Sequence, residues 1–161
     1  MDRELRTTIK NEIELRIDAE PSLEPFLDSL ISSQTDLLAA VASILSSKLH
    51  SDALSAIDIK TFILEAYRDC DQVEPALEQD LIFFKANDPA CDYLSTPLLF
   101  YKGFLGLATY RAANCLWKND RHTMALFLQN RASEVFGVDI NPAAIVEPAP
   151  ISIFPNIVLD A

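Results

Sequence analysis

Apolar residues recur along most of this chain at three- and four-residue spacing, the period of one face of an α-helix. Between Arg3 and Ile17, the residues Leu5, Ile9, Ile13 and Ile17 form one stripe that drifts slowly around a helix axis. Pro21 ends or redirects that run, and Leu23, Phe26, Leu27, Leu30 and Ile31 begin a second. Thr35 or Asp36 can cap a third, Leu37 to Leu49, rich in the strong helix formers alanine and leucine. A fourth, Leu54 to Tyr67, has Ile57, Ile59, Ile63 and Leu64 on its apolar side, and a fifth, Val73 to Lys85, has Ala76, Leu77, Leu81 and Phe84. The turn formers of Asn87 to Ser95 interrupt the pattern. Thr96 and Pro97 then supply an N-cap and a first-turn proline for a sixth helix reaching Trp117, apolar nearly all round and so expected at the centre. Asn119 or Asp120 caps a seventh that ends at Phe136 and Gly137.

Three glycines in 161 residues are too few for the tight hairpins of a sandwich or barrel, so the fold expected for residues 1–137 is all-α, a bundle of about seven helices. The pattern changes at Val138. Residues 138–161 hold four prolines and no helical period, but Ile145, Ile151 and Ile157 stand six apart, the spacing of a β-helix coil. An extended, proline-rich tail lying on the bundle is the alternative.

Charge narrows the function classes. Thirteen Lys and Arg against 24 Asp and Glu give a formal charge of −11, which argues against nucleic acid, whose binding depends on neutralising phosphates. With 9% aromatics and a mean hydropathy of +0.14 the chain is no disordered acidic segment. The longest apolar stretch, Pro97 to Trp117, is interrupted by Lys102 and Arg111, and the N-terminus has no apolar signal core, so a soluble, cytoplasmic protein is expected. Cys70, Cys91 and Cys115, odd in number and widely spaced, suit reduced core thiols, and His50 and His122 make no metal-ligand spacing with them. Arg111, midway along an apolar helix, reads as an ion-pair or snorkelling residue. Phe83, Phe84, Phe100, Tyr101, Phe104 and Tyr110 read as core or subunit contact.

A colinear set of short motifs carries more information. Asn87-Asp88-Pro89-Ala90, Ser95-Thr96-Pro97-Leu98-Leu99, Lys102-Gly103, Tyr110-Arg111 and Leu116-Trp117 come first. Ala125 to Arg131, Ser133 to Ile140 and Pro142-Ala143-Ala144 follow. In order and spacing they resemble serine acetyltransferase, closely from about Asp80 to Ala144 and more loosely before it. The resemblance implies a helical domain at 1–137 and the start of a left-handed, hexapeptide-repeat β-helix at 138–161. It also implies acetyl transfer from acetyl-CoA to L-serine, giving O-acetylserine for cysteine synthesis. That chemistry needs a base, usually a histidine held by a carboxylate, to deprotonate the serine hydroxyl, and donors to stabilise the oxyanion. By resemblance Asp139 is the histidine-orienting carboxylate and Asp88 a substrate-binding one.

The chain also departs from the family. Asn141 and Asn114 stand where the family commonly has histidine, and Val158-Leu159-Asp160-Ala161 looks like a displaced Leu-Asp-His ending in alanine. His122 and His50 read as surface and helix-terminal residues. The expectation is therefore a C-terminally shortened or degenerate serine acetyltransferase with little activity alone, lacking the catalytic histidines and the coils that bind CoA. The alternative is a non-catalytic assembly or regulatory subunit pairing through its helices with itself or with an intact enzyme. An unrelated acidic helical interaction domain ranks behind both.

Overall fold

The computed structural model describes residues 3–32 and 34–148. Eight α-helices form among them and no strand. The stripe on α1 (Arg3–Ala19) is buried at Leu5, Ile9 and Ile13. The second run is less regular than its spacing suggests: a 3₁₀ turn (Pro21–Leu23), the single α turn of α2 (Glu24–Leu27) and a π turn (Asp28–Ser32) follow one another. Pro21 and Pro25 lack the N–H groups a continuous helix would use, so the chain coils in short pieces that still bury Leu27, Leu30 and Ile31.

Asp36 caps α3 (Leu37–Leu49), its carboxylate accepting from the Ala39 N–H at 2.8 Å. Ser55 does the same for α4 (Ala56–Arg68) through the Asp58 N–H. Next come α5 (Val73–Asn87), α6 (Ser95–Phe100), α7 (Lys102–Lys118) and α8 (His122–Phe136). The expected sixth helix is thus two. Tyr101, with ψ 112°, breaks it, and α7 starts afresh when the Leu105 N–H bonds the Tyr101 carbonyl. Two caps differ from expectation as well. Thr96 does not cap α6, and α8 starts after Arg121 with no side-chain cap from Asn119 or Asp120.

The core sits around α7, buried along most of its length and packed against α3, α4, α5, α6 and α8. Buried Tyr67 on α4 donates its hydroxyl to the Ala108 carbonyl of α7 at 2.8 Å. Gly137 closes α8 in the left-handed conformation, φ 70°, and turns the chain back onto α7. Residues 138–148 then follow α7 without regular structure. Ile145 is exposed; Ile151, Ile157 and the Val158–Ala161 motif lie outside the described residues.

Candidate functional site

Asp88 ends α5, its backbone extended at φ −103° and ψ 111°, as a residue before proline should be. One carboxylate oxygen accepts from the Ala90 N–H at 2.8 Å and its carbonyl accepts from the Cys91 N–H at 3.0 Å, which folds Asp88–Cys91 into a tight turn. Burial first, and then the neighbouring Asp88 side chain, push the Tyr101 phenol well above the ordinary tyrosine range. The buried Cys91 thiol donates to the Tyr93 carbonyl at 3.3 Å, and burial first, then the Asp88 charge, raises it above its usual value.

Three further residues fix this turn and the loop after it in the bundle. Lys85 donates to the Cys91 carbonyl at 2.8 Å. Glu12, from α1, accepts the Leu94 and Ser95 N–H groups at 3.0 and 2.7 Å, one on each oxygen, and so caps α6 from another helix. Arg16, one turn on, donates to the Ser95 and Thr96 hydroxyls at 3.0 and 2.6 Å and lies 4.9 Å over the Tyr93 ring. The sequence held a signal for Glu12 that went unread: it lies three residues after Ile9, an acid on the apolar side of α1. Beneath the turn, the fully buried Asp80 of α5 holds Arg111 of α7 through two hydrogen bonds of 2.8 and 3.0 Å, which makes Arg111 an ion-pair residue.

Asp139 is placed differently. Val138 is buried against Gly106, where a Cβ would overlap the Val138 side chain, so the bare Cα of Gly106 is what admits the chain to α7. Asp139 beside it is exposed and accepts one hydrogen bond, from Gln129 of α8, at 2.7 Å. Asn141 closes a turn by accepting from the Ala143 N–H at 2.9 Å. Asn114 donates to the Pro142 and Ala144 carbonyls at 2.8 and 3.3 Å, and the Tyr110 hydroxyl donates to Ala144 as well. Both asparagines thus bind backbone.

Tyr101, on which Phe84 before Asp88 packs, and Gly106, on which Val138 before Asp139 packs, are five residues apart, about 7.5 Å along α7 and roughly 140° around it. Both segments thus meet the first part of α7, and among the described residues the two carboxylates share no hydrogen-bond partner. The histidines lie elsewhere. His122 is stacked on Trp117 with ring centroids 4.2 Å apart and lines an open cavity of about 600 Å³ with Leu54, Arg121 and Phe127. His50 is exposed at the end of α3, where its carbonyl accepts from Arg131 at 3.1 Å. All three cysteines are free thiols, and no group of three metal-ligating side chains forms among the described residues.

Residues 5–109 match the family described as serine acetyltransferase, N-terminal. The chain belongs to the serine acetyltransferase family. It is 38% identical over 136 residues to the serine acetyltransferase of Escherichia coli K12, covering 84% of this chain and 50% of that protein. To the probable serine acetyltransferase 4 of rice, Oryza sativa subsp. japonica, it is 41% identical over 128 residues, 79% of this chain and 41% of that one. The crystal structure of the Neisseria gonorrhoeae serine acetyltransferase in complex with serine superposes with a TM-score of 0.84 at 40% identity, covering 86% of this chain and 58% of that one. A serine acetyltransferase in complex with CoA gives 0.89 at 34% identity, covering 92% and 63%. This chain spans about half the length of the curated relatives it matches. It supplies the family's helical domain, and no helix among its described residues is long and apolar enough to cross a membrane.

Proposed function

We propose that this chain serves acetyl transfer from acetyl-CoA to L-serine by contributing the helical domain and two carboxylates. Asp88 takes the ammonium group of serine, and Asp139 holds an imidazole in the tautomer that accepts the serine hydroxyl proton. The hydroxyl oxygen then attacks the thioester carbonyl, and CoA leaves as its thiol. The observation that carries this reading is the Asp88 carboxylate, held in a tight turn that Lys85 of α5 ties down and whose following loop Glu12 of α1 holds, in a chain of this family. Residues 1–137 are the helical domain and 138–161 the entry to the β-helix.

These 161 residues turn over little by themselves, because their two histidines stand apart from both aspartates. Incubated with acetyl-CoA and L-serine, the purified chain is expected to release free thiol at the background rate. L-serine is expected to shift the Ala90 and Cys91 amide resonances, and Asp88→Asn to abolish that shift. Rapid thiol release would overturn the first expectation; unmoved amides would overturn the role of Asp88.

A second reading is assembly, favoured by the exposed apolar side chains of Leu15, Ile82 and Phe100. It predicts that native mass spectrometry shows the chain paired with itself or with an intact serine acetyltransferase. A strict monomer in both experiments removes it.

A further inference from the structure

The loop from Asp88 to Leu94 joins α5 to α6, and α6 has only six residues, too few to hold its own start in place. Its first N–H groups go to Glu12 of α1, a buried carboxylate that receives Leu94 on one oxygen and Ser95 on the other. A neutral hydroxyl beside the helix would cap it without burying a charge; a carboxylate from another helix also fixes where the helix begins. Arg16 completes the hold, donating to the Ser95 and Thr96 hydroxyls and lying over the Tyr93 ring. The Tyr93 carbonyl joins this end of the loop to the other, because it accepts both the Thr96 N–H at 3.1 Å and the Cys91 thiol at 3.3 Å. Cys91 in turn gives its N–H to the Asp88 carbonyl at 3.0 Å. Hydrogen bonds, each linked to the next within one residue, therefore run from Arg16 to Asp88. Cys91 and Ser95 are buried whereas Pro89, Ala90 and Asp92 are exposed, so the turn is held from within and open outward.

We propose that Glu12 and Arg16 are positioning residues for the amino-acid substrate: by fixing the far end of this loop they keep the Asp88 turn closed and its carboxylate presented to the ammonium group. This deepens the reading of Asp88 given above and rests on it. A carboxylate offers about four acceptor sites. The Ala90 N–H takes one, at 2.8 Å, which orients the side chain and leaves the others for an ammonium. That bond lasts only while the turn from Asp88 to Cys91 is closed. Lys85 closes it from the α5 side through the Cys91 carbonyl, and Tyr93, under Arg16, closes it from the α6 side through the Cys91 thiol. Without the contacts from α1 the α6 end moves and the turn opens for part of the time. Serine then binds only the closed fraction, and its apparent affinity falls in proportion to that fraction.

The test uses Arg16→Met, which keeps an unbranched apolar stem beside Tyr93 and removes every donor, and Glu12→Gln, which removes the charge. Tyr67→Phe is the control, since the hydrogen bond it loses joins α4 to α7 and not to the loop, and it measures what lost stability does by itself. In each chain, amide exchange at Ala90 and Cys91 reports closure of the turn without ligand, and an L-serine titration followed at the same amides reports affinity. Arg16→Met and Glu12→Gln are expected to speed exchange at both amides and to raise the serine dissociation constant roughly three- to tenfold, as for a turn closed about a tenth to a third of the time. Tyr67→Phe is expected to leave both readouts unchanged even where its thermal midpoint falls as far. If Glu12 and Arg16 served stability alone, all three variants would show the same loss of serine affinity for the same fall in midpoint. Native exchange at Ala90 and Cys91 in either α1 variant overturns the proposal whatever serine does, and so does faster exchange with native affinity. If the unaltered chain ignores serine, the reading of Asp88 falls and takes the positioning role with it. That outcome is distinct, because exchange in the variants still shows whether α1 holds the turn.

Discussion

The two aspartate segments attach to the same helix by opposite means. The Asp88 turn and the loop after it are gripped from two helices and packed on a third: Glu12 and Arg16 of α1 hold Tyr93 to Thr96, Lys85 and Phe84 of α5 bond Cys91 and Asp88, and Phe84 rests on the Tyr101 ring at the start of α7. The Asp139 segment is anchored through its backbone and one methyl-lined contact, by Gly106, Tyr110 and Asn114, while its carboxylate has a single exposed partner. The first arrangement defines the direction of a side chain. The second defines the path of a chain and leaves the side chain at its edge held by one exposed hydrogen bond. A binding carboxylate gains from the first, because a preorganised group loses little freedom when ligand arrives.

The contrast can be broken from either side. The largest effect is expected from Asp80→Ala, which leaves the Arg111 guanidinium buried without its partner and should cost about 3–5 kcal/mol in denaturant unfolding. It would also let α5 drift from α7 and make Asp88 as loosely held as Asp139. Gly106→Ala attacks the other segment. The added methyl overlaps the Val138 side chain, and overpacking of this kind costs about 1–3 kcal/mol. Amide exchange should rise at Val138 and Ala144 and stay unchanged at Ala90. Glu12→Ala removes the cap that α1 gives α6, for a loss of about 1–2 kcal/mol and faster exchange of the Leu94 and Ser95 amides.

A smaller effect should come from alkali. Cys91 keeps its proton in the folded chain above the ordinary thiol value of 9.0, so the stability it supports is complete below that value and declines as pH rises beyond it. Exchange at Ala90 and Cys91 should accelerate above about pH 9 relative to Val138, and Cys91→Ala should remove the difference. Gln129→Ala should change stability by no more than about 0.5 kcal/mol while releasing the Asp139 side chain, visible in its rotamer couplings.

What the sequence could disclose follows the range of the interactions involved. The stripe on α1, the Asp36 cap and the stop at Gly137 depend on residues within a turn or two, and all three stand where the pattern puts them. The break at Tyr101 is masked in the sequence, because after Lys102 and Gly103 the apolar run resumes at Phe104 and Leu105 and the whole stretch reads as one helix. Thr96 reads as the cap of α6 on local chemistry, yet a carboxylate more than eighty positions away does that work. At the site, Asp88 and Asp139 were legible only through resemblance to a family. Tyr101 reads as a core or contact aromatic, and its ring does pack against Phe84 at the core. Arg111 was legible in kind but not in partner.

The reliance of α6 on Glu12 makes the opening helix a remote part of the Asp88 turn. A protease cut in the exposed stretch between Glu20 and Leu23 would spare every residue near Asp88. If the severed helix then came away, the Leu94 and Ser95 amides would be stripped of their acceptor and Tyr93 of the guanidinium over its ring. Damage at one extremity would thus be felt as slackness in the middle of the chain, and limited proteolysis would report on the grip at Asp88 as directly as any change made beside it.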